Sequence, residues 1–407
     1  MKSSFPLVTT TLYLSEREKW LQEIRRGENV SVIFFPKTDR FRRLHQLMED
    51  REFLRKFFGT GGKYLFQLTD FNVSLVEDQF DIQEHIARQL NESNLAKTSR
   101  TFHQWMGFFS NEKIHLVLVL ADAEKYLTLE NKHILPLLFE ISMDFAPTIT
   151  LINFFETDLT HPYYTPFLTL SKELYENLFW YPLYGEHDVR VFVQYLETKW
   201  NMTIPKKQED NIVESCGGHF WLIKETVREF LNDGKWSIDN EALFFRIDTI
   251  YQSLQHSEQK VLEKIVSHTK QYTKEELHSY SYFNKMNVFS KKNGLNIGLI
   301  KQYLSTRPHV DQQVDVHDGR IFINNVTVDS IFTRKEHRVF KTLLEHKGEV
   351  VSRDVIAQSI WPSRTDQHYS DWAIDQLIAR LRRRLMELSL SSRVIHVVRG
   401  KGYRFSY

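Results

Sequence analysis

Four short, continuous apolar runs alternate with longer stretches in which apolar residues recur every three to four positions. VSVIFF (30–35), KYLFQLTD (63–70), IHLVLVLAD (114–122) and TITLINFF (148–155) have the length and composition of strands buried on both faces. Between them DRFRRLHQLMEDREFLRKFF, VEDQFDIQEHIARQLNE and LENKHILPLLFEISMDF carry helical spacing. This alternation predicts a mostly parallel sheet covered on both faces, and residues 1–170 read as one α/β domain. Beyond LFWYPLYG the strand signals fade. EHDVRVFVQYLETKW and QEDNIVESCGGHFWLIKETVREFLNDG predict a small helical module over 171–235, and a helical connector follows over 236–311, with Gly294 and Pro308 as punctuation.

From residue 312 to 407 the texture changes again. VDVHDGRIFINNVTVD alternates apolar and polar positions, with Asp318-Gly319 and Asn324-Asn325 at turns. FTRKEHRVFKTLL and GEVVSRDVIAQSIW predict two helices, the first opened by a capping box from Thr333 to Glu336, the second capped by Ser352 and ended by Pro362. A third helix, SDWAIDQLIARLRRRLMEL, precedes VIHVVRGKGYRFSY, two short strands around Gly400 and Gly402. In the third helix Ile374, Leu377, Ile378, Leu381 and Leu385 share one stripe, while Trp372, Gln376, Ala379, Arg380 and Arg383 point the other way and Arg382 and Arg384 flank. Taken alone, RLRRRL reads as a solvated basic face; within three helices and a terminal hairpin it reads as a nucleic-acid surface.

These five blocks, in this order and spacing, resemble the DNA-binding domain of OmpR/PhoB-type transcription regulators. The resemblance implies major-groove reading by the third helix and a backbone or minor-groove contact by the wing. Carried over by position, it gives Trp361 a backbone contact, Arg380 a base contact, and Arg382 and Arg383 a phosphate role. It places Arg399 at the wing tip, with Lys401 and Tyr403 beside it. Gln376 is suited to adenine and Arg380 to guanine. Two departures bear on specificity: Leu377 stands where relatives often carry a polar DNA-facing residue, and Trp372-Ala373 replaces a frequent Arg-Thr. SRTDQHYSD corresponds to the loop through which such regulators touch RNA polymerase.

The first 300 residues lack the acidic pair that a phosphoacceptor receiver needs after its first strand, because VIFF is followed by PKTDR. Their order instead resembles an AAA+ or STAND-type ATPase of the Orc/Cdc6-like kind, with CGGHFWLIK in its helical lid. A phosphate-binding loop requires glycine amides to wrap the phosphates and a lysine to reach them. No glycine occurs between Val30 and Leu44, so Lys37-Thr38 stands without a cradle. GTGGKY (59–64) leads into a strand and reads as a turn. In LVLVLADAEKY, Ala121 falls at the magnesium-ligand position and Asp122 at the catalytic one, although a shift of one residue makes Asp122 the ligand. Phe220 replaces the proline that related lids place beside the base.

The fold class expected is therefore multi-domain, α/β plus α: a degenerate P-loop-type domain with a helical lid, a helical connector and a C-terminal winged helix-turn-helix. Within the connector, SLQHSEQKVLEKIV and YFNKMNVF resemble a second winged helix.

Composition sharpens this picture at three points. The chain of 407 residues carries a formal net charge of +1. That average conceals 16 Lys and Arg against 11 Asp and Glu from residue 312 onward, a surplus of +5, while residues 1–311 carry −4. Cys216 is the only cysteine, which excludes an internal disulfide or a clustered-cysteine zinc site, and His161, His187 and His219 read as surface or core histidines rather than metal ligands. No segment approaches the apolar length of a membrane helix and no leader is recognisable, so a cytoplasmic location is expected. The function expected is sequence-specific binding of double-stranded DNA by a transcription regulator that acts as a homodimer or higher oligomer. No catalysis, no cofactor and no membrane partner are expected. An active STAND-type signalling ATPase with a DNA-binding output is the first alternative, and a winged-helix protein-interaction scaffold the second.

Overall fold

The computed structural model describes residues 9–405 apart from 39, 60–62, 72–75, 94–98, 129–130, 166–175, 239, 291–293, 307–313, 318, 324–325, 362–370, 389–393 and 399–400. The chain divides into two compact units, Met1–Leu304 and Ser305–Tyr407.

The first unit is built on five parallel strands, β1 (Val30–Phe34), β2 (Lys63–Leu68), β3 (Ile114–Leu120), β4 (Ile149–Phe155) and β5 (Leu178–Tyr181), in the order β2-β3-β4-β1-β5. All residues of β1 and β4 are buried, so their sequences are mostly apolar rather than alternating, with Ser31, Thr150 and Asn153 as the buried polar exceptions. Lys63 and Tyr64 of GTGGKY open β2, while residues 60–62 of that segment lie outside the described residues. The fifth strand comes from LFWYPLY: Phe34 and Tyr181 stack at 4.8 Å, and Trp20 packs on Phe34, Phe154 and Tyr181.

Helices α1 (Thr11–Arg26), α2 (Arg40–Glu49), α3 (Arg51–Phe58), α4 (Gln79–Glu92), α5 (Phe102–Glu112) and α6 (Ile134–Asp144) surround the sheet. The stretch expected as one helix from residue 39 to 58 is broken at Asp50, whose side chain caps α3 by accepting from the Phe53 amide. The stretch expected as a helical module holds α7 (Glu186–Trp200), α8 (Lys206–Cys216) and α9 (Phe220–Asp233). It is followed by α10 (Glu241–Ser253), α11 (His256–Val266), α12 (Lys274–Lys285), a bridge between Phe289 and Leu295, and α13 (Gly298–Thr306). Gly218 is required here by contact rather than by conformation: a Cβ would stand 2.1 Å from the Tyr184 carbonyl oxygen.

The second unit has its own hydrophobic core. Three antiparallel strands, β6 (Val314–His317), β7 (Arg320–Ile323) and β8 (Val326–Thr327), precede α14 (Arg334–Glu345). Then come β9 (Val350–Val351), α15 (Arg353–Ile360), α16 (Asp371–Glu387), β10 (Ile395–Val398) and β11 (Gly402–Phe405). The capping box of α14 and the Ser352 cap of α15 both form. Pro362 lies outside the described residues. The wing sheet runs β10-β11-β9, and Gly402, at φ +140°, brings β11 so close to β9 that a Cβ would stand 2.1 Å from the Val351 carbonyl oxygen. No helix among the described residues is long and apolar enough to cross a membrane.

Candidate nucleic-acid interface and the phosphate-loop position

Helix α16 is fixed by its apolar stripe. Ile374, Leu377, Ile378, Leu381 and Leu385 are buried in the core of the second unit, and Gln376, Ala379, Arg380 and Arg384 are exposed. Leu377 is therefore a core residue, and its apolar character follows from packing; it is no reading position and does not bear on specificity. Arg380 keeps 60% of its side chain exposed, at the edge of a 4.0 Å approach to Glu336. Arg382 is turned back: its guanidinium donates to the Ile395 carbonyl oxygen from Nε at 3.2 Å and from Nη2 at 2.7 Å. That bidentate contact pins α16 to β10 and takes up donors that the resemblance assigned to phosphate.

Tyr403 is also relocated. It is 2% exposed, and its hydroxyl donates to Asp375. Burial and the Asp375 bond push the phenol up to about 12, while the Tyr403 bond holds the Asp375 carboxyl below its ordinary value. Arg353 completes the knot, 2.9 Å from Asp375. A buried Tyr403 cannot touch DNA; with Arg353 and Asp375 it ties the wing to the first turns of α15 and α16. Neither Arg353 nor Asp375 stood out in the sequence, where their only signal is a charged pair at the openings of two helices. Trp361 is partly buried against the core, with Lys335 Nζ 5.3 Å from its ring, and Lys401 is exposed in the turn between β10 and β11. The side chains of Trp372 and Arg383, the whole of Arg399 and almost all of the SRTDQHYSD loop lie outside the described residues.

Residues 329–405 match the family described as transcriptional regulatory protein, C terminal. The second unit contains an OmpR/PhoB-type DNA-binding domain. Curated relatives extend the likeness. The transcriptional regulatory protein PhoP of Escherichia coli strain K12 is 27% identical over 171 residues, 42% of this chain and 70% of the relative. The virulence transcriptional regulatory protein PhoP of Salmonella typhi is 26% identical over 147 residues, 36% and 61%. Among solved structures, the Walker-type ATPase of Pyrococcus abyssi aligns with TM-score 0.47 at 11% identity, covering 71% of this chain and 95% of its own. The Aeropyrum pernix ORC1 protein in complex with DNA aligns with TM-score 0.39 at 13% identity, covering 100% and 91%.

The strand order of the first unit brings the end of β1, the start of α2 and the ends of β3 and β4 together at one edge of the sheet, where open α/β sheets bind ligands. In a P-loop protein this is the phosphate site. Here Arg40, with only 6% of its side chain exposed, opens α2 and points into it. The guanidinium forms an ion pair with Asp122, binds Glu124 at 2.8 Å and 3.0 Å, and lies 3.6 Å from Glu156. Burial raises the Glu124 carboxyl above its ordinary value, and Arg40 opposes that rise. Lys37, the single lysine of the PKTDR turn, is 3.5 Å from Glu156. His219, fully buried just before α9, pairs with the Pro36 carbonyl oxygen at 3.1 Å.

The acids of the expected Walker B region and the end of β4 thus face a cation supplied by the chain, and the turn after β1 is held by His219. Phe220 stacks between Tyr184 at 3.9 Å and Phe192 at 4.0 Å. Arg40 has no signal in the sequence, because it falls two residues past the Lys37-Thr38 pair and outside any phosphate-loop spacing. Among the described residues no group of three His, Cys, Asp or Glu is arranged to hold a metal ion.

Proposed function

We propose that the protein is a sequence-specific, DNA-binding transcription regulator whose first unit is an ATPase-like scaffold that does not hydrolyse nucleotide and serves as a sensor or oligomerisation platform. The reading rests on one observation in each unit. In the second, α16 offers Gln376, Arg380 and Arg384 on one exposed face of a winged helix, with Arg382 and the Tyr403–Asp375–Arg353 knot holding that face rigid. In the first, the guanidinium of Arg40 stands among Asp122, Glu124 and Glu156, where a nucleotide's magnesium and phosphates would need to be, and no glycine amide is available to cradle a phosphate. A single winged helix reads few base pairs, which favours binding as a dimer on paired half-sites. RNA polymerase contact and the four-part division into α/β domain, lid, connector and winged helix belong to the same reading, as does a cytoplasmic location.

Two measurements on the full chain test it. Selection from a random duplex pool should return a sequence motif, with affinity falling steeply as salt rises; a pool returned without enrichment overturns DNA reading. Equilibrium dialysis with ATP and magnesium should detect no tight, magnesium-dependent binding; such binding would restore an active signalling ATPase.

A further inference from the structure

Within the first unit, the loop leaving β4 is fastened to α11 and α12 through two histidines. His161 is buried, and its Nδ1 accepts from the Tyr163 amide at 3.2 Å, opening the single turn Pro162–Tyr164. With Nδ1 taken in this way, Nε2 carries the ring proton and donates to Ser257 Oγ of α11 at 2.8 Å. Ser257 Oγ lies 2.8 Å from Ser279 Oγ of α12, and Ser279 donates to the Glu275 carbonyl oxygen at 3.3 Å. The donors therefore run one way, from loop to helices. The same tautomer rules out Ser257 as a nucleophile with His161 as its base, since Nε2 has no lone pair to take the hydroxyl proton. Beyond His161, the Tyr164 hydroxyl accepts from Gln255 Nε2, before α11, at 3.0 Å.

His278 of α12 makes the second fastening. Its Nε2 lies 3.0 Å from Asp158 Oδ2 and 3.1 Å from Thr160 Oγ1, and fully buried Asp158 also accepts from the Thr160 amide and hydroxyl. The two imidazoles stand edge to face at 5.8 Å. They differ in what a further proton meets. A protonated His278 keeps its carboxylate partner, whereas a protonated His161 turns an N–H at Nδ1 toward the N–H of Tyr163. Burial opposes the charged His161 ring most; Asp158 and Glu275 favour it, and His278 opposes it. Glu275 Oε1 is 3.5 Å from His161 Nε2. Glu258, the acid that α11 brings to this seam, is pushed by burial up to about 8, so it is already protonated where a histidine titrates.

We propose that residues 157–164 form a proton-operated latch: a proton taken from solvent at His161 Nδ1 displaces the Tyr163 amide, turns the ring from Ser257 and frees the far end of the loop from α11. The Asp158–His278 pair stays closed and acts as the hinge. The latch is shut above the ordinary 6.5 of a histidine and opens as pH falls below it. As the signal of a sensor it rests on the sensor role proposed for the first unit; the latch itself stands on these bonds and needs no DNA.

Hydrogen–deuterium exchange of the full chain at pH 7 and pH 5, with labelling times scaled for the intrinsic rate, tests it. Peptides covering 161–164 and the opening of α11 should exchange several-fold faster at pH 5 in the wild type. His161→Gln, which keeps a donor toward Ser257 and takes up no proton, should exchange alike at both. If that variant fails to fold, Glu275→Gln, at an exposed position, removes a carboxylate that favours the charged ring and should move the midpoint of the opening to lower pH. Equal wild-type exchange at the two pH values overturns the latch, and so does a rise spread over the whole first unit. A rise that persists in His161→Gln, or a midpoint that Glu275→Gln leaves in place, assigns the proton to another group and overturns it as well. DNA does not enter the measurement, so either result leaves the DNA reading to its own test.

Discussion

At Arg40 one guanidinium meets three carboxylates drawn from the ends of two strands, an arrangement in which removing the cation costs more than the ion pairs contribute. Asp122 and Glu124 keep part of their surface in water, which screens the penalty, so Arg40→Ala should destabilise the first unit by about 2–3 kcal/mol in chemical denaturation. The vacated acids are then of the kind that hard divalent cations bind. Millimolar magnesium or calcium should raise the melting temperature of Arg40→Ala and leave the wild type unmoved; equal shifts in both would show that Arg40 is not the resident cation.

Glu258 presents the opposite situation, a carboxyl buried in the capping box of α11, where burial pushes it up to about 8. Its folded-state value lies above the ordinary 4.5, so the stability it contributes is complete below about 4.5 and is lost as pH rises to about 8. Buried His161 works in the other direction. Burial holds its imidazole below the ordinary 6.5, so its contribution is present above that value and is lost as pH falls. Glu258→Gln should therefore gain on the wild type in melting temperature between pH 5 and pH 8, and a constant difference across that range would sink the assignment. Neither shift is legible in the sequence, which left His161 as a surface or core histidine, since the signal is burial, not residue type or spacing.

Along α16 Arg380 is exposed whereas Arg382 is bonded to the Ile395 carbonyl oxygen, so their loss should differ in kind. Arg380→Ala should flatten the selected DNA motif, at a cost of roughly 1–3 kcal/mol for the preferred base. Arg382→Ala should leave relative preferences intact, lower affinity for all duplexes together, and destabilise the second unit by about 1–2 kcal/mol. Reversal of the two patterns in a competition assay would exchange their roles. The burial of α16 was legible because a helical stripe depends only on spacing, and Ile374 to Leu385 obey it. The inward turn of Arg382 was not, because it depends on where β10 places the Ile395 carbonyl. The same limit explains Tyr403, which the resemblance placed beside the wing tip and which packing claims for the core, whereas the burial of Leu377 follows from the stripe itself. Helices α1 and α5 carry weaker signals: charged Glu16 and Arg17 interrupt the buried stripe of α1, and α5 is a short run, Phe102, Trp105, Met106 and Phe109, opened by a Thr101–Gln104 capping box.

For the whole molecule, the separate cores of Met1–Leu304 and Ser305–Tyr407 predict two unfolding transitions in calorimetry, of which a bound duplex should raise only one. A single transition that DNA shifts as a block would contradict the division. Strand-helix alternation announced the parallel sheet, while β5 hid in an aromatic run that reads equally well as packing. That hidden strand has a consequence for synthesis. Val30–Phe34 emerges early from the ribosome, yet its two neighbours are Ile149–Phe155 and Leu178–Tyr181, so a segment destined for full burial must wait for well over a hundred residues before either of its hydrogen-bonding edges is satisfied. Nascent chains that stall before Leu178 carry that segment with one edge bare, and they are the species in which a chaperone should be found bound.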